Sequence, residues 1–201
     1  MQRVLTLFLA LFLGAAHPAA AAQLTAEEQA AVDRVRAGLN ELVTMEAVFR
    51  QVDGAGNAAT GRFWLHRPGR LRFEYDPPNP ILIVARGSFL VHFDKELKES
   101  HYLDQDETPA WFLLSKEVQF DDNIIIRDVS LDDRRIGITA QQKGREEDGA
   151  ITLWFQRSPV RLLGWSMVNA GGGEVHLTLL EQTLGGAIDP DLFQFRPTDY
   201  D

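Results

Sequence analysis

The sequence predicts an α+β domain built on a curved antiparallel meander, and three observations predict it. One stretch repeats its apolar residues at helical spacing, about ten later stretches alternate them with period two, and helical segments are few for so many strands. The chain opens on a leader. Arg3 supplies a positive start, Val4 to Leu13 form an apolar run, and His17, Pro18 and Ala19 to Ala22 make a small-residue zone. Ala20-Ala21-Ala22 fits a cleavage site, so residues 1–22 read as a signal peptide and 23–201 as one domain. The apolar run, about ten residues, falls short of the roughly 20 that a bilayer span needs.

After the leader, Thr25 with Glu28 three residues on is a capping-box start. Val32, Val35, Leu39 and Leu42 follow at spacings of three and four, which makes one amphipathic helix of about 16 residues. From Met45 the period becomes two: Met45, Ala47 and Phe49 alternate with Glu46, Val48 and Arg50. Asp53 to Asn57 reads as a hairpin turn, Phe63 and Leu65 form the next apolar face, and Leu71, Phe73 and Tyr75 the one after. The turn His66-Arg67-Pro68-Gly69 lies between those strands. Ile81 to Ala85 and Phe89 to Asp94 continue the pattern.

Thr108-Pro109 then looks like an N-cap followed by proline, opening a short, almost wholly apolar helix, Ala110-Trp111-Phe112-Leu113-Leu114. Strands resume at Ile124 to Asp128 and Ile136 to Ala140. They continue at Ile151, Leu153 and Phe155, at Leu163, Trp165 and Met167, and at Val175, Leu177 and Leu179. Asp189 to Phe193 reads as one last helical turn.

Two helices cover only part of a long curved sheet. The sheet therefore either fills its own interior or leaves a concave face lined but unfilled, and large barrels and half-barrels of this kind are common ligand cavities. Four consecutive bulky residues in so short a helix project in nearly all directions. The segment is then either a permanent plug or a lid whose inner face meets the sheet or a lipid.

Composition narrows the function. No cysteine occurs, which excludes disulfides, thiolate metal sites and a cysteine-borne lipid anchor. The net charge is −9, one unit more negative once Arg3 leaves with the leader, and so acidic a surface disfavours nucleic acid and anionic membranes. No nucleophile elbow, phosphate loop or paired-histidine zinc motif is present. His92 and Asp94 share a strand face and read as a surface charge pair more readily than as metal ligands. Asp104 and Asp106 read as charges at a helix start, and Glu146-Glu147-Asp148 as a solvated hairpin tip. Neither a cofactor nor an enzymatic activity is expected.

In order along the chain, several motifs resemble the LolA-type periplasmic lipoprotein carriers. They are Met45-x-Ala47-x-Phe49-x-Gln51, Gly61-x-Phe63-Trp64-Leu65-His66-Arg67-Pro68, Leu71-Arg72-Phe73-Glu74-Tyr75, Thr108-Pro109 through Leu114, and Asp189 to Pro197. Gly87 to Asp94 matches that family's G-x-x-L-W-x-Y-D strand, with Val91 and Phe93 in place of the tryptophan and tyrosine. The resemblance implies an incomplete β-barrel with helices acting as a lid. The expected acyl-chain cavity is lined by Phe49, Phe63, Leu65, Leu71, Phe73, Tyr75, Ile83, Phe93 and Phe155. Trp111, Phe112, Leu113 and Leu114 would form the lid helix and Arg67 would control it. It further implies a monomeric periplasmic shuttle that receives acylated lipoproteins from an ATP-driven inner-membrane release complex. Delivery would be to an outer-membrane receptor or directly to the membrane. A lipoprotein-sensing domain and a carrier of another amphiphilic lipid are the alternatives.

Overall fold

The computed structural model describes residues 24–105, 108, 111–120, 123–169 and 171–197. The leader over 1–22, and Asp106, Pro109 and Ala110, lie outside the described residues. Helix α1 spans Ala26–Glu41 and carries the capping box read from the sequence. The Glu28 amide donates to Thr25 Oγ1 at 3.3 Å, and the Thr25 amide donates to the Glu28 carboxylate at 2.7 Å. Its apolar stripe, Ala31, Val32, Val35 and Leu39, is buried against β7 and β10. Among the described residues no helix is long and apolar enough to cross a membrane.

Eleven strands form one open antiparallel sheet. They are β1 (Thr44–Asp53), β2 (Ala58–His66), β3 (Arg70–Tyr75), β4 (Ile81–Arg86), β5 (Phe89–Asp94), β6 (Glu99–Asp104), β7 (Ile124–Leu131), β8 (Arg135–Gln142), β9 (Gly149–Arg157), β10 (Val160–Asn169) and β11 (Glu174–Leu184). The spatial order is β6-β5-β4-β3-β2-β1-β11-β10-β9-β8-β7. Chain neighbours therefore pair throughout, except where β1 lies against β11, and β6 and β7 remain as the two edges. The segment that joins these edges contains helix α2 (Trp111–Leu114).

Period-two alternation sends one set of side chains to the concave face. Across neighbouring strands Ala47, Phe63, Phe73 and Ile83 stand opposite one another, as do Met45, Leu65, Leu71 and Ala85. Gly61 faces Phe49 across β1 and β2 because a side chain there would enter the Phe49 ring, with a Cβ only 2.7 Å from it. In the other half Leu179, Leu177, Trp165, Leu153 and Ile138 continue the same face.

Two expectations fail at strand level. The sequence reading has no strand over Glu99–Asp104, because only His101 and Leu103 alternate there and most of the strand is exposed at the sheet edge. It also places Leu163 inward with Trp165. A bulge between Leu162 and Gly164 puts Leu162 into the core instead, and Gly164 takes φ +149 there with its Cα against the β11 backbone.

The convex face carries a smaller apolar seam. Leu82, Val84 and Phe93 are buried there beneath Phe195, whose ring lies 5.2 Å from that of Phe93. Phe93 is therefore not a cavity residue: its register partner is Leu82, one step out of phase with the inward Ile83. The 3₁₀ turn Pro190–Phe193 docks beside this seam. Arg72 donates to the Leu192 carbonyl and pairs with Glu74, which also pairs with Lys95. Burial pushes the Glu74 carboxyl up, but the two cations and their hydrogen bonds outweigh it and hold it below its ordinary value.

Candidate functional site: an apolar cavity under a clasped helix

Between the β3–β6 end of the sheet, α2 and β10–β11 lies a cavity of about 480 Å³. Leu71, Phe73, Tyr75, Ile83 and Leu90 form its sheet wall, Phe112 and Leu113 its roof, and Trp165, Met167 and Leu177 its far side. Aromatic rings set its floor. Phe73 stacks tilted on Phe63 at 4.5 Å and stands edge-on to Phe49 at 5.3 Å and to Trp165 at 6.1 Å. Phe112 meets Trp165 at 5.9 Å from above. Tyr75 donates its hydroxyl to Gln51 at 2.7 Å; burial pushes this phenol up, so it stays protonated. The cavity opens at the β6 edge, where His101 and Leu103 are exposed.

The roof is held by backbone-directed hydrogen bonds. Arg67, 7% exposed, donates to the carbonyl of Ser115 just after α2 from Nη2 at 2.8 Å and Nε at 3.3 Å. Its Nη1 donates to the carbonyls of Leu39 and Leu42, at the end of α1. These acceptors are carbonyls rather than a carboxylate, and burial moves the guanidinium below its ordinary pKa. The Gly69 amide of the same turn donates to the Leu114 carbonyl at 2.8 Å. One hairpin turn thus grips both helices.

A second clasp comes from Asn40. Its Nδ2 donates to the Val118 carbonyl at 3.1 Å and its Oδ1 accepts from the Val118 amide at 2.7 Å, in the manner of a strand pair. On the other side of α2, Gln105 Nε2 donates to the carbonyls of Gly69 and Phe89. Thr108 Oγ1 donates to the Gln105 carbonyl, and the helix start expected at Thr108-Pro109-Ala110 falls on residues of which Pro109 and Ala110 lie outside the described set. Asn40→Ala strips both partners from a Val118 that is wholly buried, at about 1–3 kcal/mol for each group left unsatisfied. The expected result is faster amide exchange around Val118 and Leu114, with β1 and β11 as protected as before.

The structure brings most of the expected site residues together. Leu71, Phe73, Tyr75 and Ile83 line the cavity, and Phe112 and Leu113 close it. Phe49, Phe63 and Leu65 are fully buried behind this wall. Phe155 lies elsewhere in the same core, opposite Leu162 and Ile136. Leu114 is buried and held through its carbonyl, while the Trp111 side chain lies outside the described set. The sequence reading misses Asn40, which sits among polar residues of an amphipathic helix, and does not name Trp165 as a wall residue although it gives its inward phase. His92 and Asp94 do share the concave face, but Asp94 caps the following turn through the amides of Glu96 and Leu97. Among the described residues no three potential metal ligands gather.

Comparison with known proteins identifies the family. Residues 40–196 match the family described as outer membrane lipoprotein carrier protein LolA. An outer-membrane lipoprotein carrier protein of Methylococcus capsulatus is 30% identical over 173 residues, which cover 82% of each chain. One from Pseudomonas aeruginosa is 35% identical over 130 residues, 59% of this chain and 58% of that protein. Among solved structures, an uncharacterized conserved protein from Thermus thermophilus superposes with a TM-score of 0.52 at 11% identity. The match covers 85% of this chain and 94% of that one, and it shows a shared fold. With its open eleven-stranded sheet and more than half its length matched, this chain belongs to the LolA family of outer membrane lipoprotein carrier proteins.

Proposed function

We propose that this protein carries the acyl chains of lipoproteins across the periplasm, holding them in the cavity under α2. The observation that carries the reading is an apolar hollow whose roof is fastened by hydrogen bonds to carbonyls, bonds that water can replace when the roof lifts. Each buried methylene is worth about 0.8 kcal/mol, so two or three chains of some 15 methylenes represent on the order of 25 to 35 kcal/mol relative to water. Cargo held that strongly does not leave into water. It passes directly from one apolar site to another, and the difference between donor and acceptor sets the direction.

Closing α2 onto the sheet supplies part of that difference, because Phe112 and Leu113 compete with acyl chain for the same wall. In this reading the donor is the ATP-driven inner-membrane release complex, and the acceptor is an outer-membrane receptor or the membrane itself. The protein acts as a monomer without a cofactor and performs no chemistry on its load. Purification of the mature protein from its native envelope, followed by mass spectrometry, is expected to recover acylated polypeptides in a one-to-one complex. Recovery of acyl lipids with no polypeptide attached would replace lipoproteins with another amphiphile as the cargo.

A further inference from the structure

Two imidazoles stand at the mouth of the cavity under α2. His92 on β5 and His101 on edge strand β6 are register partners on the concave face, with ring centroids 6.3 Å apart, and both line the cavity. Neither imidazole has a hydrogen-bond partner among the described residues, although each carries one donor and one acceptor when neutral. Along the same two strands the concave face grades from Leu90 opposite Leu103, through this histidine pair, to Asp94 opposite Glu99. One end of the groove is therefore oily and the other acidic, with the imidazoles between.

At roughly 30 Å³ for each methylene, a cavity of about 480 Å³ is on the scale of one acyl chain while the roof stays closed. An amphiphile with its tail against Phe73, Phe112 and Trp165 brings its head to the rim at His92 and His101. A carboxylate or phosphate there meets Asp94 and Glu99 on a chain of net charge −9. A quaternary ammonium leaves both imidazoles without a partner. Ester and hydroxyl oxygens suit them, since imidazole nitrogens both donate to and accept from such groups.

We propose that the His92–His101 pair is a head-group site that takes the uncharged ester and hydroxyl oxygens of a glyceride whose single acyl chain fills the closed cavity. This rests on the acyl-carrier reading and deepens it, because it places the glyceryl junction of an acylated cargo at the β5–β6 rim while further chains require α2 to move.

Calorimetric titration of the delipidated mature protein, in about 1 M salt so that the charges of Asp94 and Glu99 are screened, tests it with three probes of one chain length: 1-monomyristoylglycerol, myristate and myristyltrimethylammonium. Two added hydrogen bonds give the glyceride about a tenfold tighter Kd than either charged probe. The double variant His92→Leu/His101→Leu, of similar volume, is expected to bind all three within about twofold of one another, and His92→Gln/His101→Gln to restore the preference. Equal binding of the three probes by the native protein overturns the head-group site while leaving the carrier intact. A preference that survives the leucine variant does the same. Failure of every 14-carbon probe to bind, in the native protein and both variants, overturns the carrier reading along with it. Circular dichroism of each variant establishes that the sheet is folded.

Discussion

Arg67→Leu is expected to leave the eleven-stranded sheet folded while cutting transfer of an acylated cargo to its acceptor by about tenfold or more. In the closed form this side chain satisfies carbonyls at Leu39, Leu42 and Ser115, groups separated along the chain but gathered under one turn. Leucine fills much of the volume and satisfies none of them. Each carbonyl left dry costs about 1–3 kcal/mol, but only while the roof is shut, since lifting α2 returns them to water. The substitution therefore acts on the closed state and leaves the sheet untouched, and it removes part of the drive that expels cargo.

Two readouts check this. Transfer from loaded protein to acceptor is expected to fall, and protease cleavage near α2 to rise, with thermal unfolding of the sheet nearly unchanged. Arg67→Lys is expected to fall between, because an ammonium cannot present a planar fork to three carbonyls at once. Transfer by the leucine variant at the native rate would remove Arg67 from the mechanism.

The second large effect comes from truncating the roof. Phe112 and Phe155 are equally buried, each 1% exposed, and a core phenylalanine cut to alanine costs about 3–5 kcal/mol. Phe155 belongs to the fixed core, opposite Ile136 and Leu162, so Phe155→Ala is expected to lose the full amount in urea unfolding. Phe112 touches Trp165 from a helix that we read as able to leave. Once closure is weakened beyond its own free energy, the open form becomes the reference and the unfolding free energy falls no further. Phe112→Ala is thus expected to lose clearly less stability than Phe155→Ala and to bind cargo of two or three acyl chains about tenfold more tightly, because less roof has to be displaced. Equal losses in the two variants, with no gain in binding, would make α2 a permanent plug.

Much of this architecture is legible in the residues alone. Spacings of three and four with a capping box locate α1 to within a residue or so, and the period of two locates ten of the eleven strands. What hides β6 is what makes it an edge: Glu99, Tyr102 and Asp104 face water, so no full apolar alternation survives. Aromatic character suggests the cavity side for Phe93, whereas its phase relative to Ile83 decides the opposite face. Leu162 displaces Leu163 through a one-residue bulge that no period reveals. Asn40 and the His92–His101 pair cannot be recognised from spacing at all. Asn40 meets Val118 only because the segment after α2 returns to α1, and the histidines meet only through a strand that the pattern does not show.

The ladder between β1 and β11 has a bearing on how this chain reaches its final form. Phe49 pairs with Leu179 and Gln51 with Leu177, so the centre of the sheet joins the first strand made to the last. Residues 44–104 and 124–184 are each local meanders able to assemble early, but the seam between them must wait for the final strand, and such remote pairings are the slow ones. Until that zipper closes, both half-built sheets present greasy unprotected faces. The period between emergence of β1 and arrival of β11 is therefore when a newly made carrier is itself most in need of a chaperone.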